Sequence, residues 1–298
     1  AMQCQYTVTG TEVGFLAPVP IPAGRTLVID PTLSFSSYSG SVGDNFGYTA
    51  TYDEAGHLYG GGTVFAPGYP TTLGAVTTAF QGGQVDIGLS KWTPDGSDLV
   101  WSTYLGGASN ETPHSLVVND AEELFILGAS GSSDFPVTIG AFDVGFNGGN
   151  AIAGNGWEGG VSNYGFGHTS GVDIVLAHLN ASATALVGAT YVGGSGNDGL
   201  NNTLILANNY GDQFRGEVVL DQAGNVVVAT STTSADIPIT GNAPQPVFGG
   251  VQDAYFFRMD PALTTQLWAT YHGGANRESG LGVQVDSSGD LFFTGGTI

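Results

Sequence analysis

The side chains best suited to chemistry are few and scattered. Five histidines, His57, His114, His168, His178 and His272, stand apart from one another, with no His-Glu-x-x-His pattern and no cysteine pair beside them. The sequence therefore contains no recognisable zinc ligand set. Cys4 is the single cysteine, so it has no internal disulfide partner, and its neighbours Met2, Gln3, Gln5 and Tyr6 include no base to activate a thiol. There is no Gly-x-Ser-x-Gly elbow, no Ser-x-Asp-x-Gly-x-Thr-Trp box, and no glycine-rich run set between a strand and a helix. Those absences argue against a strained nucleophile turn and against a phosphate cradle.

Carboxylates are plentiful: 26 acidic residues against 5 basic ones give a formal charge of −21. Asp53, Asp221 and Asp286 recur at one place in a repeated turn, Asp-x-x-Gly, where an aspartate bonds the backbone ahead of it and a glycine accepts positive φ. Recurrence at a turn marks them as structural residues and not as catalytic acids. The run Gly193-Gly194-Ser195-Gly196-Asn197-Asp198-Gly199-Leu200-Asn201 matches the nonapeptide of calcium-binding β-rolls. Asp198 and Asn197 are thus candidate calcium ligands, although one copy supplies too few oxygens for such a roll, and an ordinary turn is the preferred reading. Calcium at an acidic loop is the only cofactor alternative, and the chain is otherwise read as needing none. Two glycine-rich inserts, near residues 143–171 and 197–214, carry aromatic and polar side chains. Trp157, Tyr164, Phe166, His168 and Tyr210 there are the candidate ligand-binding set, with rings suited to stacking on sugars; packing of those loops onto the scaffold is the competing expectation.

Composition narrows the partners. Lys91, Arg25, Arg215, Arg258 and Arg277 are the whole basic set, too few to neutralise a nucleic-acid backbone. The same acidity disfavours an anionic membrane surface. No apolar run approaches the ~20 residues of a membrane span. Only 10% of residues are charged while 41% are hydrophobic, which favours a packed core over disorder.

The elements that must position these residues repeat along the chain. Tyr38, Tyr104, Tyr191 and Tyr271 each lie in a short segment of the type Ser/Ala-Thr/Ser-Tyr-x-Gly. Each is followed by a strand–turn–strand, seen most clearly around Asp221-Gln222-Ala223-Gly224 and Asp286-Ser287-Ser288-Gly289. The copy at Asp120-Ala121-Glu122-Glu123 has lost the turn motif. A loop containing Tyr69-Pro70, Phe135-Pro136 or Ile237-Pro238 comes next, and then a strand opening at Asp86, Asp173 or Asp253. The runs are β-branched and aromatic, with no sustained helical period. The expected fold is all-β: a β-propeller of four-stranded antiparallel blades, the tyrosines wedged between them. Ig-like modules would need about seven strands per ~100-residue unit and fit less well.

As a set, these motifs resemble the bacterial seven-bladed β-propeller repeat often called SBBP, from Leu27 to the end, with Leu27-Val28-Ile29-Asp30-Pro31-Thr32-Leu33 resembling the junction where an N-terminal β domain passes into a first blade. Ser39-Gly40-Ser41, lacking the double glycine, and the altered second hairpin depart from the pattern. Residues 1–30 are accordingly expected to be a linker or the end of a preceding β domain, and residues 31–298 three full blade units and a truncated fourth, a fragment of a larger propeller. A compact closed ring is the alternative. The resemblance implies a secreted or cell-surface bacterial protein, and by analogy cargo of the type IX secretion system associated with gliding motility. The functional expectation is non-catalytic: adhesion, surface-glycan binding or association with proteins, secretion-machinery components among them. A carbohydrate-active propeller enzyme, lyase or hydrolase, with catalytic groups partly outside this chain is the rival class, and a structural spacer a third.

Overall fold

The computed structural model describes residues 5–9, 12–16, 35–153, 166–206 and 211–298. The chain divides into two compact units, Ala1–Ser36 and Ser37–Ile298. The first contains an antiparallel hairpin of β1 (Gln5–Thr9) and β2 (Glu12–Leu16).

The second unit is built from successive antiparallel sheets, each with its strands in chain order. Sheet one comprises β3 (Asn45–Tyr52), β4 (Leu58–Val64), β5 (Asp86–Trp92) and β6 (Leu99–Leu105). Sheet two comprises β7 (Glu111–Val118), β8 (Leu124–Ser130), β9 (Asp173–Leu179) and β10 (Leu186–Val192). Sheet three comprises β11 (Glu217–Leu220), β12 (Val226–Thr232), β13 (Asp253–Met259) and β14 (Gln266–His272). β15 (Glu278–Val285) and β16 (Leu291–Thr297) form a two-stranded fourth sheet. Helical structure among the described residues is confined to two short 3-10 turns, Leu204–Leu206 and Asp212–Phe214. The molecule is all-β.

Successive sheets lie face to face, and their first strands are neighbours: β3 packs beside β7, β7 beside β11, and β11 beside β15. This arrangement explains why the central strands read as unbroken apolar runs. Alternate side chains of one strand enter different cores. On β9, Val175, Ala177 and Leu179 join Ile87 and Leu89 of sheet one, whereas Ile174 and Leu176 join Tyr255 and Phe257 of sheet three. On β13, Ala254 and Phe256 turn the other way, toward Val283 of the fourth sheet.

The phase of the repeat differs from the sequence expectation. Each tyrosine strand closes the sheet that precedes it, as β6, β10 and β14, and the hairpin opens the next sheet. The reason is a long-range latch. Tyr104 Oη accepts hydrogen bonds from the N–H groups of Gly68 (3.1 Å) and Tyr69 (2.9 Å), in the loop between the second and third strands of its own sheet. Tyr191 Oη likewise accepts from Phe135 N–H (3.0 Å) and donates to the Ser132 carbonyl (2.6 Å). Tyr271 Oη donates to the Ser234 carbonyl (3.0 Å). These three tyrosines are buried. Tyr38 is not: its segment forms no strand, and its side chain is 95% exposed. A closing strand needs a third strand to pair with, and among the described residues of the second unit no strand precedes Tyr38.

Candidate functional site

The recurring carboxylates gather at the end of each sheet where a closing strand passes into the next sheet's first strand. The connection begins with Gly106-Gly107, Gly193-Gly194 or Gly273-Gly274 and carries an acid five residues after the doublet begins: Glu111 and Glu278 at the first residue of β7 and β15, and Asp198 in the connection ahead of β11, where it bridges Thr232 of β12. The aspartate that opens each third strand, Asp86, Asp173 or Asp253, meets this acid across the first glycine. A Cβ on Gly106 would lie 2.6 Å from Asp86 Oδ1 and 2.7 Å from Glu111 Oε2. On Gly273 it would lie 2.5 Å from Asp253 Oδ1 and 2.6 Å from Glu278 Oε2. On Gly193 it would fall 2.6 Å from Asp173 Oδ1. Gly106 and Gly273 are therefore fixed by the close approach of two buried acids, and Gly193 by that of Asp173.

Each acid is held by protein donors. Glu111 accepts from Gly107 N–H (2.9 Å), Ser130 Oγ (2.7 Å) and Ser132 Oγ (2.5 Å). Asp198 accepts from Gly194 N–H (2.8 Å), Ser234 Oγ (2.7 Å) and the Thr232 hydroxyl. Glu278 accepts from Gly274 N–H and Thr297 Oγ1. On the partner side, Asp173 accepts from the N–H groups of Asn147 (2.6 Å) and Gly148 (2.9 Å), Asp86 from Gln81 N–H, and Asp253 from Gly249 N–H. Among the described residues no hydrogen-bond donor reaches Asp86 Oδ1 or Asp253 Oδ1, both fully buried. Burial pushes Asp86, Asp173 and Asp198 up to about 7, with repulsion added by Glu111 at Asp86, by Asp198 at Asp173 and by Asp236 at Asp198, and raises Glu111 and Asp253 as well. Two carboxyls sharing a dry site cannot both ionise cheaply, so Asp86, Asp173 and Asp198 retain protons toward neutrality.

The opposite ends of the sheets carry nitrogen-bearing side chains at one register. Lys91, His178 and Arg258 each stand five residues after the aspartate that opens their third strand. Lys91 Nζ lies 2.5 Å from Glu122 Oε2, on the hairpin of the neighbouring sheet, and 3.4 Å from Asp53 Oδ2. His178 bonds Glu123 (3.1 Å) and the Pro261 carbonyl (3.0 Å), while Arg258 approaches Asp221 at 3.6 Å. Burial alone would raise Asp53, but hydrogen bonds from His57 N–H and the Tyr59 hydroxyl outweigh it and hold the carboxyl below its usual range. Ligand atoms of Asp53, His57 and Glu122 come within 4.8 Å of one another, the spacing a metal ion would need. Lys91 already supplies the positive charge there, so a divalent cation would have to displace a buried ammonium. The triad fits an ion-pair network and not a metal centre.

The residues singled out from sequence separate into groups. Trp157, Tyr164 and Tyr210 lie outside the described residues. Phe166 and His168 are buried, 4% and 1% exposed, in a cluster with Ile152, Val172 and Phe214. Phe166 stacks on Phe214 with centroids 5.8 Å apart. As platforms for a ligand these two are corrected: an aromatic ring in a glycine-rich insert has turned inward, where apolar burial favours it. Burial also drives His114 down to about 3 and His168 to about 4, leaving both neutral. Asp198 and Asn197 are corrected too. The oxygens of Asp198 are occupied by the hydroxyls and amide given above, and Asn197 Oδ1 accepts from Val172 N–H at 3.1 Å while its amide donates to the Asn150 carbonyl. Both are loop-fastening residues.

At the turns, Asp221 Oδ1 accepts from Ala223 and Asn225 N–H (2.9 Å each), and Asp286 Oδ1 from Ser288 and Asp290 N–H. Asp53 Oδ1 accepts from His57 N–H. The second hairpin makes the same turn one residue earlier than the sequence suggested, with Asn119 Oδ1 accepting from Ala121 and Glu123 N–H. Sequence reasoning missed the acid pairs, whose signal is a Gly-Gly followed closely by an acid. No protein-family model matches this chain, and no curated protein does.

Proposed function

We propose that Ser37–Ile298 is an arc of β-propeller blades and that the chain is a non-catalytic, extracellular or cell-surface interaction module. The observation that carries the reading is the chain-order adjacency of the first strands β3, β7, β11 and β15, with the strands of each complete sheet following one another in chain order. Radial repetition of meandering sheets gives this adjacency, whereas a two-layer sandwich would group its strands into two facing sheets.

The chemistry of the recurring acids supports a scaffold over a catalyst. Glu111 and Asp198 are sealed at the sheet junctions and bonded to serine or threonine hydroxyls, in equivalent roles in successive sheets. A hydrolase would place its carboxylate pair beside an open cleft, with separate roles for the two groups. Here the pairs repeat and face the interior. What varies from sheet to sheet is the loops, above all the inserts after β8 and β10, and variable loops on a rigid repeat are where recognition resides.

The partners that fit are proteins or surface glycans, met through those loops. A glycan array and a surface-protein pull-down with the 298-residue chain test this, using a Trp157→Ala/Tyr164→Ala variant. Selective binding reduced by the double substitution supports the reading, and turnover of a polysaccharide by the chain would replace it with the enzymatic one.

A further inference from the structure

The first strands share an irregularity in their ladders. The register shifts between Gly47 and Thr49 on β3, between Pro113 and Ser115 on β7, and between Gly280 and Gly282 on β15. The residue left out is each time the fourth of its strand: Tyr48, His114 and Leu281. Such a bulge takes one residue out of the ladder and re-aims its side chain. In the third sheet an insert stands where the bulge would be. Asp198 bridges Thr232 and Gly199 N–H donates to the Ser231 carbonyl, as a first strand would begin. The ladder resumes only at Glu217, opposite Ala229, and Phe214-Arg215-Gly216 lead back to it.

Three of these departures meet. Tyr48 of β3, His114 of β7, and Gly211, Phe214 and Arg215 of the insert line a pocket of about 80 Å³. The Phe214 ring contacts both bulge residues, its centroid 5.8 Å from that of Tyr48 and 6.3 Å from that of His114. His114 is buried, and among the described residues its Nδ1 has no hydrogen-bond partner. Its Nε2 lies 3.3 Å from Thr112 Oγ1. Thr112 is fully buried, and among the described residues its hydroxyl makes this one hydrogen bond, so the hydroxyl donates and Nε2 accepts. The neutral imidazole, which burial maintains, then carries its proton on Nδ1: a buried N–H that lacks an acceptor. Arg215, one of 5 basic residues in the chain, is half-exposed at the same pocket. Its Nη1 pairs with Asp212 Oδ1 at 3.2 Å, and a guanidinium has more N–H donors than one such contact uses.

We infer that this pocket binds a carboxylate group, with the Arg215 guanidinium and the His114 Nδ1–H as donors and the Tyr48 and Phe214 rings as walls. The fork of a guanidinium matches a carboxylate in both shape and charge. At about 80 Å³ the space lies far below the ~300 Å³ at which pockets enclose whole small molecules, so the rest of a larger ligand stays outside. Asp212 already offsets one positive charge, and a singly charged planar group therefore suits the site better than a phosphate dianion. Two sources share this chemistry, a free small acid and a uronic acid within a glycan.

Isothermal titration calorimetry of the 298-residue chain at low chloride tests this with three probes: acetate, a glucuronic-acid oligosaccharide and its neutral glucose counterpart. The expected result is saturable binding of at least one acid, with the neutral sugar at least about 10-fold weaker. The tighter acid identifies the source: acetate a free acid, the uronate a glycan. Arg215→Gln, at a half-exposed position, should weaken the bound acid at least about 10-fold, the loss of a charge-assisted hydrogen bond. His114→Phe keeps the ring and removes the donor, and a similar loss is expected where circular dichroism shows that variant folded. No saturation by either acid up to about 50 mM overturns the inference, as does a neutral sugar that binds as tightly or an affinity unchanged in Arg215→Gln. Recognition by the inserted loops fails separately, because it is scored by the array and pull-down on Trp157 and Tyr164, neither of which is invoked for this pocket.

Discussion

Glu122 occupies, at φ +61°, the left-handed turn position that Gly56, Gly224 and Gly289 fill in the other hairpins, and its carboxylate reaches Lys91 Nζ on the neighbouring sheet at 2.5 Å. A non-glycine residue there costs about 1 kcal/mol in backbone strain. The ion pair offsets this because Lys91 is buried, although Glu122 is half-exposed and the gain must be discounted for solvent.

The first prediction follows from that balance. Glu122→Ala keeps the strain and loses the pair, whereas Glu122→Gly loses the pair and releases the strain. Chemical denaturation should rank wild type above Glu122→Gly by about 1 kcal/mol, and Glu122→Gly above Glu122→Ala by a similar margin. A Gly variant as stable as wild type would show that Lys91 is satisfied by Asp53 alone.

The glycine doublets give a second. Gly106→Ala drives a methyl into Asp86 and Glu111, neither of which has room to retreat. A loss of about 2–3 kcal/mol is expected, while Gly241→Ala, which meets nothing within 4 Å, should stay within about 0.5 kcal/mol. Equal melting behaviour of the two variants would contradict the close approach.

The third concerns pH. Asp86 titrates near 7 when folded, against an ordinary 3.8. The folded state therefore holds a proton that the unfolded chain has released, and stability falls as pH rises from about 4 to about 7. Asp86→Asn removes this burden and lets an amide donate toward Glu111. It should match wild type near pH 4 and exceed it by about 2 kcal/mol near pH 8 in urea titrations. A constant difference across that range would mean that the pair is ionised in the folded protein.

The fourth has the opposite sign. His168 stays neutral down to about 4, so below its ordinary 6.5 the unfolded chain takes up a proton that the folded one refuses. Stability attached to it is lost as pH falls through that interval. His168→Leu should therefore gain on wild type between about pH 7 and pH 5, by roughly 1–2 kcal/mol, in the same titrations. A gap that does not widen on acidification would count against the neutral imidazole.

What was legible in the sequence was local. An Asp221 or Asp286 turn closes within four residues, so its letters carry its geometry. A strand such as Asp173–Leu179 advertises itself by apolar residues on both faces. The phase of the repeat was hidden because Tyr104 is placed by amides at Gly68 and Tyr69, far back in the chain. The acid pairs were hidden for the same reason: Asp86 and Glu111 meet through space across Gly106. Phe166 shows a third limit, since a ring in a glycine-rich insert has the same letters whether it faces a ligand or Phe214.

The radial succession of sheets is tested most directly by pulsed electron spin resonance between labels on equivalent, exposed turn residues. Ala55, Ala121, Ala223 and Ser288 serve, each pair placed in a Cys4→Ser background. The account predicts three similar distances between chain neighbours, Ala55 to Ala121, Ala121 to Ala223 and Ala223 to Ser288, all shorter than Ala55 to Ala223 or Ala121 to Ser288. A non-neighbouring pair closer than any neighbouring pair would contradict it.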